Sequence, residues 1–464
     1  MLDEITGDEM RLSALFVGAR SEAPPPVELG GQEVSAATLL RCGARTLWRA
    51  RFAVPAYGPS AYSWNGDRYD LAGLGDDLRL AFVSCNGEEM GDLDREGSER
   101  NAMWARLAAC HEAAPFALLL HGGDQIYADE ATEGHPLSAD WPNDVPQDPS
   151  GANLEDLRQH LRAAFFARYA AVYSAPEMAW ICARVPSLMQ WDDHDICDGW
   201  GSLRRSRTEG PVGRAIFDVA REMALGFQHA ARDGDLPGRF ADPKGAHLGW
   251  RVEAPGLRLL APDLRSERTR RQIMGAGGWS IMDAAGGFDG RTLLMSSVPL
   301  LGPRLSLLEG AMRLHPRMMR YEDDLRDQWQ SRAHRTEWRR MLSSLRDAMA
   351  GRADDASGIT VLSGEIHLAA RATMALGGGK ILHQLTASGI SHRAPPRNWA
   401  RFLGLLSRLG DAPLAGHPIR MRRLPGQRAL FVAERNFLVL TRRSKAWTAE
   451  WDLERSGRAG TLTI

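Results

Sequence analysis

The chain has 464 residues, enough for one large elaborated domain or two to three smaller ones around a substantial buried core. Its 57 Lys and Arg nearly balance 58 Asp and Glu, with a pI near 6.9. No excess positive field therefore marks it for nucleic acid or an anionic membrane, and a small or chemically local substrate is expected.

The start, MLDEITGDEMRLSALFVGARSEAPPP, lacks a basic segment followed by an apolar core, and no run of about 18 apolar residues occurs, so the default expectation is a cytoplasmic protein. The five cysteines, Cys42, Cys85, Cys110, Cys182 and Cys197, are odd in number and without paired spacing, and read as thiols. From about Glu28 to Tyr69, short alternations such as Thr46-Leu47-Trp48-Arg49-Ala50-Arg51-Phe52, broken by Gly and Pro, predict a β-rich N-terminal module within residues 1–76.

From Leu78 the pattern changes to apolar strand-like runs separated by helical stretches, the alternation of an α/β core expected over residues 77–395. Four runs stand out: Leu78–Val83, Phe116–Leu120, Leu188–Trp191 and Ile359–Leu362. Asn153–Ala170 predicts a helix with Asn153 as its cap, and Gly275–Gly290 predicts a glycine-rich loop. Thr336–Met349 predicts a second helix, with Trp338, Met341, Leu342, Leu345 and Met349 in one apolar stripe. In the extension 396–464, Arg428–Leu440 and Ala446–Leu453 predict two strands added to a sheet.

In α/β sheets, ligand sites collect beyond the carboxyl ends of the strands. The four runs end on Ser84-Cys85-Asn86, His121-Gly122-Gly123-Asp124-Gln125-Ile126-Tyr127, Asp192-Asp193-His194-Asp195 and Ser363-Gly364-Glu365-Ile366-His367. Carboxylates, imidazoles, a thiolate and a phenolate form a sufficient set for a two-metal site, with Asp124 the natural bridge after two glycines that permit a tight turn. Glu365 and His367 are expected to share one face of an extended segment. His121 is expected to pack beside the site, and His392 to be an ordinary polar residue.

Gly123-Asp124-Gln125-Ile126-Tyr127, Trp191-Asp192-Asp193-His194-Asp195 and Ser363-Gly364-Glu365-Ile366-His367 resemble, in order and spacing, the alkaline phosphatase D (PhoD-like) family of the calcineurin-like metallophosphoesterases. The resemblance covers roughly Leu78–Pro395. It implies an α/β/β/α fold, two packed β-sheets flanked by helices, and a phosphatase or phosphodiesterase acting on a small phosphoester. It also implies two or more metal ions, Fe3+ plus Ca2+, activating a hydroxide.

By the same mapping, Cys85 and Tyr127 become metal ligands, Asp193 binds the second metal, Glu365 and His367 complete the shell, and His194 assists the leaving group. Arg265, in a segment resembling the family's strand that ends in Asp and Arg, would hold a phosphate oxygen. Two departures stand out: the family often has Asp where this chain has Glu365, and an Asn pair where it reads Cys197-Asp198-Gly199-Trp200. The alternatives are a non-catalytic metal-containing binding protein, or a metallohydrolase of esters or amides without phosphorus.

Overall fold

The computed structural model describes residues 1–144, 149–305, 327–352 and 357–464. The N-terminal segment is β-rich and begins earlier than the alternation suggests. Glu9–Ala19 and Arg45–Pro55 pair antiparallel along their length, flanked by Leu2–Thr6 and Ala37–Cys42. A second four-stranded sheet combines Gln32–Val34, Val27–Leu29, Ser60–Trp64 and Asp67–Leu71.

Two larger sheets carry the core. In the first, Ser187–Gln190, Leu118–Gly122 and Leu78–Val83 run parallel, and Asn436–Arg443 then pairs antiparallel with Leu78–Val83 and with Ala446–Leu453. The C-terminal hairpin therefore occupies the interior of the core sheet, and its turn is Ser444-Lys445, with Arg442 and Arg443 still in the strand. In the second, Gly256–Ala261, Gly290–Ser296, Ile359–Ser363 and Lys380–Thr386 run parallel.

The near-continuous apolar runs are explained by burial of both faces. Successive side chains on a strand point to opposite sides. Leu259, Leu293 and Leu362 accordingly join Leu80, Phe82 and Leu120 in the layer between the sheets. Their neighbours Leu260, Leu294 and Val361 turn outward onto Trp338, Met341, Leu342 and Leu345 of the helix Arg335–Ala350. Helices Ala102–Ala113 and Gly151–Tyr173 pack into the same apolar cluster as the first sheet. The result is the α/β/β/α sandwich expected.

Two local expectations are corrected. The helix at 151–173 is capped by Ser150, whose Oγ accepts from the Asn153 amide, so Asn153 lies inside the first turn. The glycine-rich stretch contains a short helix, Ala276–Met282, because Trp279, Ile281 and Met282 gain burial by helical spacing despite the low intrinsic propensity of Gly277 and Gly278.

The parallel strands of both sheets end at one edge, where the sheets are stitched together. The Ser84 carbonyl accepts from Ile390 N at 2.9 Å, and Ser84 Oγ donates to the Ala387 carbonyl at 3.0 Å.

Candidate metal centre and active-site cleft

Cys85, Asp124, Glu365 and His367 all adopt left-handed backbone conformations, with φ of 57°, 53°, 69° and 54°. A left-handed L-residue costs roughly 1–2 kcal/mol, and such strain persists where the surroundings over-determine it, as they do at many active sites. Each of these residues sits where a parallel strand has just ended and the chain turns sharply into the edge. Glu365 and His367 therefore do not share an extended face: the strand stops at Ser363 and the segment bends.

The glycines have separate tasks. A Cβ on Gly122 would lie 2.3 Å from the Phe82 ring, whereas Gly123 has φ +110° and lies close to Asp192.

Three groups of donor atoms converge at this edge, each with its atoms within 4.8 Å of one another: Cys85, Asp124 and His367; Asp193, His194 and Asp198; and Asp124, Asp192 and Asp193. Asp124 belongs to two of them and Asp193 to the other shared pair, which suits carboxylates held between two positions. The Cys85 thiol lies 3.4 Å from Asp124 Oδ2 and 3.1 Å from Ser388 Oγ. Tyr127 OH is 2.9 Å from His367 Nε2, and the ring of His392 stacks on that of His367 with centroids 3.4 Å apart.

The electrostatics are those of crowded, desolvated negative groups. Burial and then the neighbouring Asp192 push the Asp124 carboxyl well up, and burial and then Asp124 do the same to the Cys85 thiol. Burial, followed by the charges of Cys85 and Asp124, raises the Tyr127 phenol. Burial disfavours the charged form of His194 too, but the carboxylates of Asp129 and Asp193 outweigh it and hold its pKa well above the ordinary value.

Among the described residues, Asp124 Oδ1 and Asp192 Oδ2 are buried carboxylate oxygens without a hydrogen-bond partner, and Asp193 Oδ1 has only the Arg265 guanidinium at 3.2 Å. Buried polar oxygens are rarely left so. Such oxygens beside a thiol and an imidazole fit cations.

Arg265 is corrected. It is fully buried, and its guanidinium donates to Asp192, to both oxygens of Asp327 at 2.8 and 2.6 Å and to the Trp200 carbonyl at 2.9 Å, with Asp193 Oδ1 at 3.2 Å. Its fork is taken up by three carboxylates and faces away from solvent, so it positions Asp192 and Asp193 and does not hold a phosphate. Asp263, in the same segment, anchors the Trp191 indole at 2.9 Å.

Glu365 stands apart from the three donor groups: Gln328 Nε2 donates to its Oε2 at 2.7 Å. His121 packs as expected, fully buried between Gln125 and Ser187.

The second-sheet exit after Lys380–Thr386 supplies Ser388, which no motif marks, and His392, which stacks on His367 where an ordinary polar residue is expected. The rule that drew attention to the other exits applies there equally. Asp192 belongs to one of the four exits, whereas Asp327 and Gln328 carry no local signal in the sequence.

The cleft beside these groups has a volume of about 390 Å³. Asp124, Asp193, His194 and His367 line it together with the apolar Leu301, Leu403, Met421 and Phe431 and the polar Gln330, Gln384 and Thr386.

The curated relative "Uncharacterized protein YGR266W" of Saccharomyces cerevisiae is 26% identical over 367 residues, covering 65% of this chain and 51% of that protein, so the chain spans about half the length of that relative. The solved structure described as "Structure of PhoD" superposes with a TM-score of 0.61 over 98% of this chain and 86% of the other, at 12% identity, which is a likeness of fold. The family model described as "PhoD related phosphatase" matches residues 94–319, a stretch that contains Asp124, Tyr127, Asp193 and His194. The motifs, the α/β/β/α fold and this match agree, and the chain is similar to the PhoD-related phosphatases.

Proposed function

We propose that the chain is a metal-dependent phosphoester hydrolase, a PhoD-like phosphatase or phosphodiesterase, working at a centre of two or more cations. The observation that carries the reading is the convergence of Cys85, Asp124 and His367 with Asp193, His194 and Asp198 around the buried oxygens Asp124 Oδ1 and Asp192 Oδ2, which accept no hydrogen bond from the described residues. Cys85, Asp124, Tyr127 and His367 would hold one cation, Asp124, Asp192 and Asp193 a second. Thiolate and phenolate donors suit a ferric ion, and a carboxylate set suits calcium. Because burial keeps the Cys85 thiol and Tyr127 phenol protonated on their own, loading would release protons.

Cations bound there supply Lewis acidity to a phosphoryl oxygen and lower the pKa of water toward about 7. The chain's own groups do the rest. Asp129 holds His194 Nδ1 at 2.9 Å, and the carboxylates around that imidazole keep it protonated, a state suited to giving a proton to the leaving oxygen. Arg265 fixes Asp192 and Asp193 in place, and the apolar lining limits water in the cleft.

The test is metal analysis of the purified full chain together with a panel of phosphomonoesters and phosphodiesters, on the parent and Asp124→Asn. Turnover that needs bound cation and disappears with it in Asp124→Asn is the expected result. No turnover with ferric iron, calcium or any common divalent metal overturns the reading in favour of a non-catalytic metal-binding protein. Cleavage confined to carboxylic esters or amides moves it to another class of metallohydrolase.

A further inference from the structure

The helix Arg397–Leu406 and the turn Ser407–Leu409 carry two apolar faces where a surface helix ordinarily has one. Ala400 and Leu403 face inward onto Leu368, Ala370 and Phe431. Trp399, Phe402, Leu405 and Leu409, spaced three or four residues apart, point outward and are 41%, 41%, 61% and 64% exposed, with the Trp399 and Phe402 rings stacked at 5.5 Å.

Arg397, Arg401 and Arg408 fall along one edge of this outward face, at spacings of four and seven residues. Among the described residues none of the three is paired with a carboxylate, and no Asp or Glu occurs between Arg393 and Gly410. The near-neutral composition of the whole chain conceals this local excess of positive charge.

The position of the helix matters as much as its composition. Trp399 and Leu403 line the candidate cleft, so the exposed apolar face runs into the cleft's apolar lining of Leu301, Met421 and Phe431, in the same cleft as Asp124, Asp193 and His367. A cleft lined both by metal-ligating groups and by apolar side chains continuous with an exposed apolar face fits a substrate with an ionic head and a hydrocarbon tail.

Short helices with Trp, Phe and Leu on one face and arginines at its border lie in the plane of a lipid interface, with the arginines at the headgroups. No helix among the described residues is long and apolar enough to cross a membrane. We propose that Arg397–Leu409 docks the protein on an anionic lipid surface and that the cleft draws its phosphoester substrate from that surface. The substrate half rests on the phosphoester reading above, whereas docking does not.

The experiment is co-sedimentation of the full chain with vesicles of phosphatidylcholine alone and of phosphatidylcholine mixed with phosphatidylglycerol. It uses the parent, F402S/L405S, and Arg401→Gln and Arg408→Gln. The parent is expected on the mixed vesicles. Each Arg→Gln change is expected to weaken that binding about fivefold, and F402S/L405S to abolish it. Phe402 and Leu405 lie outside the cleft, so unchanged turnover of a soluble phosphodiester by F402S/L405S confirms that the variant is folded, and only its turnover of vesicle-borne phospholipid is expected to fall.

Absence of the parent from both vesicles overturns the docking assignment. So does a stable dimer in light scattering that F402S/L405S dissociates, since a second copy would then cover the face. Turnover of the soluble diester with none of the phospholipid overturns the substrate assignment. Vesicle binding by a protein inactive on every phosphoester overturns the functional reading and leaves the docking face standing.

Discussion

Asp129 Oδ2 lies 2.9 Å from His194 Nδ1, while its Oδ1 accepts from the Asp198 amide at 2.7 Å. One carboxylate thus orients the imidazole and fixes the loop that follows it, leaving Nε2 of His194 for the cleft. Burial alone would favour the neutral ring, and Asp129 and Asp193 together reverse that preference.

The sign of the resulting pH dependence follows directly. A proton donor whose pKa is raised keeps its proton until the pH rises through that value, so the alkaline limb of turnover reports His194. Asp129→Asn keeps an acceptor for Nδ1 but removes the charge, and the limb is expected to move to lower pH. His194→Ala should slow turnover by about 10²- to 10⁴-fold, most for poor leaving groups, with cation content retained. Rate profiles against pH for substrates of different leaving-group pKa check both; an unmoved limb in Asp129→Asn would remove Asp129 from the mechanism.

Arg265 makes a contrasting prediction, because its role is to neutralise Asp192, Asp193 and Asp327 in a site without solvent. Removing one partner of a buried ion pair costs about 3–5 kcal/mol, so Arg265→Ala is expected to lose that much stability in urea unfolding. Arg265→Lys should recover only part of it, since an ammonium lacks the planar fork that engages both Asp327 oxygens and Asp192 at once. A rise in KM with unchanged stability would instead return Arg265 to substrate binding.

Arg265 also shows where sequence reading ends. The parallel strands and their polar exits were legible, because a run such as Leu118–Gly122 with both faces buried must be apolar and must stop on the residues that face the crevice. Residue type suggested that Arg265 would take phosphate, since guanidinium matches phosphate and carboxylate equally well. Only packing distinguishes the two, by bringing in Asp327 from 62 residues away. His392 belongs to no motif, yet its ring stacks on His367 because the Lys380–Thr386 strand exits at the same edge. Alternation places Glu365 and His367 on one face, an argument that fails once both residues turn left-handed.

Acid stability supplies a prediction independent of the site's chemistry. Burial lowers the pKa of His121 to about 3, and those of His111, His334 and His383 each to about 4. Unfolding returns them to about 6.5, so the unfolded chain binds more protons and stability falls as pH drops below that value toward the folded pKa values. Between pH 7 and pH 5 these histidines lower the urea midpoint, against the buried carboxyls of Asp192 and Asp195, which burial raises to about 6 and about 7. His121→Gln should therefore change the slope of stability against pH by close to one proton, in the direction of less loss on acidification, as the other groups remain. An unchanged slope in that variant would mean that His121 is charged in the folded protein.

The turn before Asp124 provides the last test, since it separates backbone strain from damage to the centre. Gly123 has φ +110°, and a Cβ there would lie 2.8 Å from Asp192 Cβ and 3.1 Å from Ser297 Cβ. Gly7 has φ +60° and open space around it, in the N-terminal module. Both Gly→Ala changes meet left-handed strain, worth roughly 1–2 kcal/mol at Gly7, and both should lower the urea midpoint. Gly123→Ala must also push Asp192 away from Asp124, so it alone is expected to lose bound cation and turnover. Full cation content in a folded Gly123→Ala protein would show that Asp124 and Asp192 need not sit together, and would count against a shared carboxylate cluster as the heart of the centre.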